Sequence, residues 1–274
     1  MLQNITPLIL TYNEAHNIRR TLEPISWADR IVVIDSFSTD NTLDILKTYP
    51  QVETVQRKFD THANQWNAGI DHVQTEWVLS LDADYVLTDA LINELKALSP
   101  SPDVDGYFIP FKYCVFGKPL RGTILPPRQA LFRKRQDGLR PGKPTHYIDD
   151  GHTQLLVVKG QSASLTNPIH HDDRKPLSRW LWAQDRYMVL EVKKLQETAL
   201  EELSWGDRIR QQKILAPFVI LLYCLILKGG ILDGWRGWYY AFQRMLAELL
   251  LSIKLIEADL SDFSNTSQSH PKEH

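Results

Sequence analysis

A chain of 274 residues, 43% hydrophobic and 23% charged, has the composition of an ordinary globular protein with one large or two small domains. Its formal net charge of -2 gives no footing for a nucleic-acid partner, which favours a basic domain. The two cysteines, Cys114 and Cys224, lie far apart in apolar surroundings, which suggests neither a disulfide framework nor a zinc site and fits a reducing compartment. The N-terminus shows neither the basic nor the apolar region of a signal peptide, so a cytoplasmic location is the expectation.

The first hundred residues alternate between two patterns. Ile5 to Leu10 is an apolar run, ended by Thr11-Tyr12-Asn13-Glu14, with a helix expected from Ala15 to Leu22. Arg30 to Asp35 reads as a second strand with three β-branched residues in its core. A polar turn, Ser36 to Asp40, precedes a helix over Asn41 to Tyr49, and Val52 to Gln56 is a third strand. Trp66, Ile70 and Val73 share one face of a helix over His62 to Val73. Trp77 to Leu81 is a fourth, buried strand that ends at Asp82 and Asp84, and a helix follows from Asp89 with Leu91, Ile92, Leu95 and Leu98 on one face. Strands alternating with helices imply a parallel sheet covered on both faces.

After the break at Ser99-Pro100-Ser101-Pro102 the pattern is less regular. Gly106 to Phe116 is strand-like, with Pro110 favouring a sheet edge, and Ala130 to Lys134 and Gln154 to Val158 are short strands. Gly117 to Arg128, with Lys118, Arg121 and Arg128, reads equally as a flexible loop over a polyanionic substrate or as a solvated connector. Two polar clusters stand out, His146 to His152 and His170 to Lys175. Pro176 then suits the first turn of a long helix to about Leu203.

Glu14, Asp35 and the Asp82/Asp84 pair each fall just after an apolar run. Right-handed crossovers bring those strand ends to one sheet edge, where open α/β sheets bind their ligands. An Asp-x-Asp tripeptide is often a solvated turn, but two carboxylates one residue apart at such an edge repel each other and resist burial. A divalent cation relieves both costs, and hard oxygen ligands point to Mg2+ or Mn2+. The chain has no Gly-x-Gly-x-x-Gly and no Gly-Lys-Ser/Thr, so a phosphate group would be held through metal rather than by a glycine-rich loop.

Thr11-Tyr12-Asn13-Glu14, Ile34-Asp35-Ser36 with Asp40, Gln65-x-Asn67-x-Gly69 and Leu81-Asp82-Ala83-Asp84 stand in register. Together they resemble family-2 glycosyltransferases of the GT-A fold, most closely over Leu2 to Leu98, and within that family the bacterial lipopolysaccharide-core glucosyltransferase branch. The resemblance implies an α/β, Rossmann-like, mostly parallel sheet flanked by helices, with a C-terminal helical extension. It implies an inverting, metal-dependent transfer from a nucleotide-sugar donor, UDP-linked, to a saccharide or lipid-linked acceptor. Thr11, Tyr12, Asn13 and Glu14 would line the nucleotide site, with Glu14 near the ribose or base, and Asp35 would accept a hydrogen bond from uracil. Gln65 and Asn67 would shape the space between nucleotide and sugar. Asp82 would lie beside ribose and metal, Asp84 would ligate the metal, and His171 would complete its shell. Arg174 or Lys175 would touch the diphosphate. Asp149 and Asp150 are the candidates for the base, with Asp150, beside Gly151, preferred. The related branch often carries His-Glu where this chain has His152-Thr153, which bears on that assignment.

The C-terminal region differs in kind. Ile214 to Leu227 is apolar but shorter than the roughly 20 residues a spanning helix needs. Trp235, Trp238, Tyr239, Phe242, Leu246, Leu249, Ile253 and Ile256 recur every three or four residues, the pattern of an interfacial amphipathic helix. Arg208, Arg210, Lys213, Lys228 and Arg236 flank it and could meet anionic headgroups at the inner face of a membrane. A helical hairpin packed on its own protein is the competing reading. The expected domains are a catalytic region over residues 1–175, a helical and membrane-associating region over 176–260, and a disordered tail over 261–274. A polyprenyl-phosphate glycosyltransferase, a nucleotidyltransferase and a non-catalytic membrane-associated scaffold are the alternatives. The absence of a basic glycine-rich loop after the first strand weighs against the second, and the gathered acids weigh against the third.

Overall fold

A computed structural model describes residues 1–134, 145–150 and 153–268. The chain divides into two units, one formed by Met1–Pro119 and Leu125–Lys175, the other by Leu120–Ile124 and Pro176–His274.

In the first unit the strands are β1 (Ile5–Thr11), β2 (Ile31–Asp35), β3 (Val52–Gln56), β4 (Trp77–Asp82), β5 (Tyr85–Leu87), β6 (Val104–Ile109), β7 (Phe111–Val115), β8 (Lys118–Pro119), β9 (Arg128–Arg133), β10 (His146–Asp150), β11 (Thr153–Val157), β12 (Gln161–Ser164) and β13 (Ile169–His171). Its helices are α1 (Ile18–Leu22), α2 (Thr42–Leu46), α3 (His62–His72) and α4 (Asp89–Ala97). The main sheet has seven strands in the order β12-β6-β9-β4-β1-β2-β3. β4, β1, β2 and β3 run parallel, and β9 lies antiparallel between β4 and β6. A four-stranded sheet, β5-β13-β7-β8, and the β10-β11 hairpin complete the unit. This is the α/β arrangement with a mostly parallel central sheet that the alternation of patterns implies.

Alternation along each strand explains why both faces are dry. Ile9, Ile31, Val33, Leu79 and Leu81 pack on one face with Ile18, Leu22, Leu46, Leu91 and Leu95 of α1, α2 and α4. Leu8, Val32, Ile34 and Val78 point to the other, against Ala63, Trp66 and Ile70 of α3 and against Phe132, Tyr147 and Leu156. Successive side chains of a strand face opposite sides, so a near-continuous apolar run is what a two-faced core requires. Thr61 and Thr88 start α3 and α4, their hydroxyls accepting from the N–H groups of Asn64 and Leu91 at 3.2 Å.

Several expected boundaries move for local reasons. α1 begins at Ile18 rather than Ala15, because Asn17 and Ile18 both donate to the Glu14 carbonyl in a tight turn. Pro110, which has no N–H to give a ladder, divides the expected strand over Gly106 to Phe116 into β6 in the main sheet and β7 in the smaller one.

The second unit is helical. α5 (Leu177–Glu197) stops short of Leu203 and is followed by α6 (Trp205–Gln211), α7 (Ala216–Leu222) with a π turn over Tyr223–Leu227, and α8 (Trp235–Gln268). α8 continues through Gln268, within the stretch expected to be a disordered tail. Met188, Leu195, Leu203, Leu251 and Leu255 form its core. The Leu120–Ile124 segment is tied into this unit rather than left loose. The N–H groups of Arg121 and Gly122 donate to the Asp233 carboxylate at 2.8 and 3.3 Å, and that of Ile124 donates to the Tyr240 hydroxyl at 3.2 Å. Among the described residues, no helix is long and apolar enough to cross a membrane.

Gly69 lies where α3 meets the sheet. A Cβ there would sit 2.5 Å from Leu8 Cδ1 and 3.0 Å from Ile34 Cγ1. Overpacking outweighs the helix-propensity gain of alanine, so Gly69→Ala is expected to lower stability by about 1–2 kcal/mol in urea unfolding. A neutral or stabilising result would contradict this packing.

Candidate active site

The loops after β1 and β2 are built as one piece. Asn13, at φ 56° in the left-handed region that asparagine tolerates, donates its N–H to Ser38 Oγ at 2.8 Å and accepts from the Thr39 N–H at 2.7 Å. Glu14 N–H donates to Thr42 Oγ1 and Ala15 N–H to Asp40 Oδ2. Asp35, fully buried at the end of β2, accepts from Thr11 Oγ1 at 3.0 Å, from the N–H and hydroxyl of Ser38, and from Gln56. Gln65, buried in α3, donates to Ser36 Oγ at 2.7 Å and accepts from Arg57 at 2.6 Å. Thr11, Asn13, Asp35 and Gln65 therefore share one strand-end edge, and Tyr12 beside them is exposed.

Asp84, just past the end of β4, forms a second group. Its Oδ2 lies 3.2 Å from His171 Nε2. His171 arrives through β13, whose pairing sets it opposite Tyr85 of β5 and beside Tyr113 of β7, with both tyrosine rings edge-on to the imidazole. Glu14 stands in the same group through Lys175, whose ammonium donates to Glu14 Oε1 at 2.7 Å and lies 3.8 Å from Asp173. Burial alone would push the Asp84 carboxyl up, but His171 and then Lys175 hold it well below the usual carboxylate range. Burial would likewise lower His171, and Asp84 overcomes it, so the imidazolium is favoured. Burial pushes the Glu14 carboxyl up to about 7, with Lys175 pulling against it and Asp84 pushing the same way.

Asp82 stands apart from this pair. Its Oδ2 lies 3.6 Å from Arg128 Nη1 at the start of β9, so the structure joins Asp84, not Asp82, to His171. Arg174 is held bidentate by Asp172, at 2.8 to 3.2 Å.

The other expected residues lie on the β10–β11 hairpin and its anchor. Asn67 does not project freely. Its amide donates to the Tyr147 carbonyl at 2.9 Å and accepts from the Tyr147 N–H at 2.7 Å, which fixes β10 to α3. Asp149 Oδ1 accepts from the Ala63 N–H at 3.1 Å, so this carboxylate caps the first turn of α3. Asp150, the next residue, faces the opposite side of the strand by alternation. Gly151 and His152 lie outside the described residues.

Among the described residues, no three His, Cys, Asp or Glu side chains form a ready cation cage. Asp84 Oδ1, however, is buried without a hydrogen-bond partner, and an unmet buried acceptor costs about 1–3 kcal/mol or more when charged. Magnesium-type sites take one or two carboxylates and complete their shell with phosphates and water. Asp84 Oδ1, the unmet oxygen of the carboxylate whose Oδ2 meets His171, fits such a cation.

Asn17, Arg20 and Ser38 belong to the same networks and were not singled out by sequence. Asn17 stands three residues after Glu14 at the start of α1, the one local signal that could have marked it.

The family model of glycosyl transferase family 2 matches residues 8–154, more than half of the chain. The chain belongs to that family. It is 36% identical over 83 residues to the prophage-derived glycosyltransferase SunS of Bacillus subtilis, covering 29% of this chain and 20% of that one. It is 28% identical over 107 residues to an uncharacterized glycosyltransferase of Rickettsia prowazekii, covering 39% and 36% of the two. The chain thus spans well under two thirds of the length of either relative. The mannosyltransferase PcManGT of Pyrobaculum calidifontis, crystallised with GDP-Man and Mn2+, has a TM-score of 0.52 at 16% identity, over 93% of this chain and 88% of that one. That likeness shows a shared GT-A fold.

The Glu14 environment has a pH signature. A carboxyl raised from 4.5 to about 7 on folding favours the folded state while protonated, and that contribution is lost as pH rises from about 4.5 to about 7. Metal-free wild-type protein is expected to lose thermal stability across that window, and Glu14→Gln to lose less. Equal slopes in the two melting series would contradict the buried position of Glu14.

Proposed function

We propose that this protein is a glycosyltransferase that moves a sugar from a nucleotide-sugar donor, UDP-linked, to a cell-envelope saccharide or lipid-linked acceptor, with inversion and with Mg2+ or Mn2+. The observation that carries the reading is Asp84 at the carboxyl edge of the sheet, its Oδ2 met by His171 and its Oδ1 buried without a partner, since that is the edge at which such folds bind ligands. PcManGT, which shares the fold, was crystallised with both a nucleotide sugar and Mn2+. The lipopolysaccharide-core branch is the subgroup whose motifs this chain resembles.

Asp84 and, once its imidazolium gives up the Nε2 proton, His171 would hold the cation, which when bound supplies Lewis-acid stabilisation of the departing diphosphate. The chain's own groups do the rest. The Thr11–Asp35–Ser38 cluster and Gln65 order the edge where the nucleoside would lie. Lys175, whose ammonium sits between Glu14 and Asp173 near the Asp84 group, would be the cation that meets the diphosphate, while Arg174 is held by Asp172. Asp150 takes the proton of the acceptor hydroxyl as its oxygen bonds the anomeric carbon and the bond to diphosphate breaks from the opposite side. Asp149 is the weaker candidate, since its carboxylate caps α3.

The second unit offers a surface for the acceptor's membrane. Ile226, Leu227 and Trp235 are 65, 77 and 56% exposed, and Phe218, Leu222 and Phe242 are exposed beside them in sequence or on α8. Such apolar exposure marks an interaction surface. Arg210 and Lys213 are paired with Glu248 and Asp259 and Arg208 donates to the carbonyls of Leu203 and Glu201, so the cations available for anionic headgroups are Arg208, which keeps its charge, with Lys228 and Arg236, which lie over the rings of Tyr223 and Trp235. The enzyme would then work as a peripheral protein on the inner face of the cell membrane.

By calorimetry, UDP is expected to bind in Mn2+ and to lose about tenfold or more in affinity in Asp84→Ala. Metal-independent UDP binding would contradict the cation reading. Asp150→Asn is expected to keep UDP affinity and lose turnover by about a hundredfold or more, whereas full turnover would remove Asp150 as the base. Flotation with vesicles containing anionic lipid should carry the wild type and fail with Trp235→Ser/Phe242→Ser. Equal flotation of both proteins would remove the membrane role.

A further inference from the structure

The segment that follows His171 is bolted to the start of α1 by a single buried side chain. Asn17 is 1% exposed and every hydrogen-bonding valence of its amide is used. Its Nδ2 donates to Glu14 Oε2 and to Asp173 Oδ1, both at 2.9 Å. Its Oδ1 accepts from the Arg174 N–H at 2.9 Å and from Arg20 Nη2 at 2.8 Å. Arg20 Nη2 also donates to the Asp172 carbonyl at 2.8 Å, and the Asp172 N–H donates to the Asp84 carbonyl at 3.0 Å. Three consecutive residues after His171 are thus fixed through one amide, one guanidinium and one backbone bond.

The residue these contacts aim is Lys175. Its N–H donates to the same Asp173 oxygen that Asn17 holds, at 3.0 Å, and its ammonium reaches Glu14, whose other oxygen Asn17 also holds. Asn17 therefore grips both acids between which the Lys175 ammonium sits. A lysine stem is rich in rotamers, and a preset stem gives that freedom up before a ligand arrives. Neither an acid nor a hydroxyl suits the post. Aspartate there would put a third carboxylate against Glu14 and Asp173, and a hydroxyl offers one donor where two are used.

We propose that Asn17 is a positioning residue for the donor diphosphate: it presets Lys175 beside Asp84 and His171 and touches no substrate itself. This rests on the donor-site reading above and adds the residue through which that site is held ready. The role separates from simple scaffolding because it concerns the phosphates and not the nucleoside. Binding of UDP and of uridine, each with Mn2+, is to be measured by calorimetry for wild type, Asn17→Ala, Asp173→Asn, Lys175→Ala and the Asn17→Ala/Lys175→Ala double variant. Asp173→Asn keeps the shape of the side chain and guards against misfolding of the alanine variant.

Each single variant is expected to weaken UDP by about tenfold or more with uridine affinity unchanged. The double variant is expected to bind UDP no more weakly than Lys175→Ala alone, as residues acting through one another do. Wild-type UDP affinity in both Asn17→Ala and Asp173→Asn would overturn the role, and so would additive losses in the double variant. Equal loss of UDP and uridine would reduce Asn17 to a fold residue. A wild-type chain that binds no UDP would instead defeat the donor-site reading and this inference with it.

Discussion

The site depends on a buried contact between Asp84 and His171, 87 residues apart in the chain. A carboxylate at the end of a central strand is costly to bury unless a positive partner meets it. His171 meets one oxygen and leaves the other without a partner. The proposed cation would meet the oxygen left over. Around it the charges interlock, with Lys175 between Glu14 and Asp173, Arg20 on Asp172, and Asn17 joining them. The sheet brings the acids together, and the strand after Pro168 brings the cations to them.

The fold delivers this contact through two sheets. β4 belongs to the seven-stranded sheet, and β5, which follows it after Ala83 and Asp84, belongs to the four-stranded one. Asp84 therefore sits at the turn between sheets, and β13 returns antiparallel to β5 to set His171 opposite Tyr85. Pro110 makes the same kind of switch possible for β6 and β7. A helix-covered parallel sheet supplies the edge, and the small sheet supplies the groups that stand on it.

The parallel core was legible because its strands are apolar runs ending in carboxylates, as at Asp35 and Asp82, and because Trp66 and Ile70 or Leu91 and Leu95 recur at helical spacing. The gathering of polar groups such as Thr11 and Asp35 at strand ends was legible for the same reason. Tertiary partners were not. Asn67 looks like a wall residue in sequence, yet its amide is taken up by the Tyr147 backbone. Asp149 and Asp150 look equivalent in sequence and are separated by the capping contact with Ala63. The loop over Gly117 to Arg128 carries glycine, proline and basic residues, but Asp233 and Tyr240 fix its middle. In each case the deciding partner lies tens of residues away, beyond the reach of periodicity or turn chemistry.

Asp84 and His171 are proposed as the protein side of a cation site shared with the donor diphosphate. Anomalous scattering from crystals grown with Mn2+ and UDP tests it most directly. The account predicts a manganese peak in contact with Asp84, His171 and the diphosphate. A peak held elsewhere, or ordered UDP at the sheet edge with no manganese beside Asp84, would contradict it.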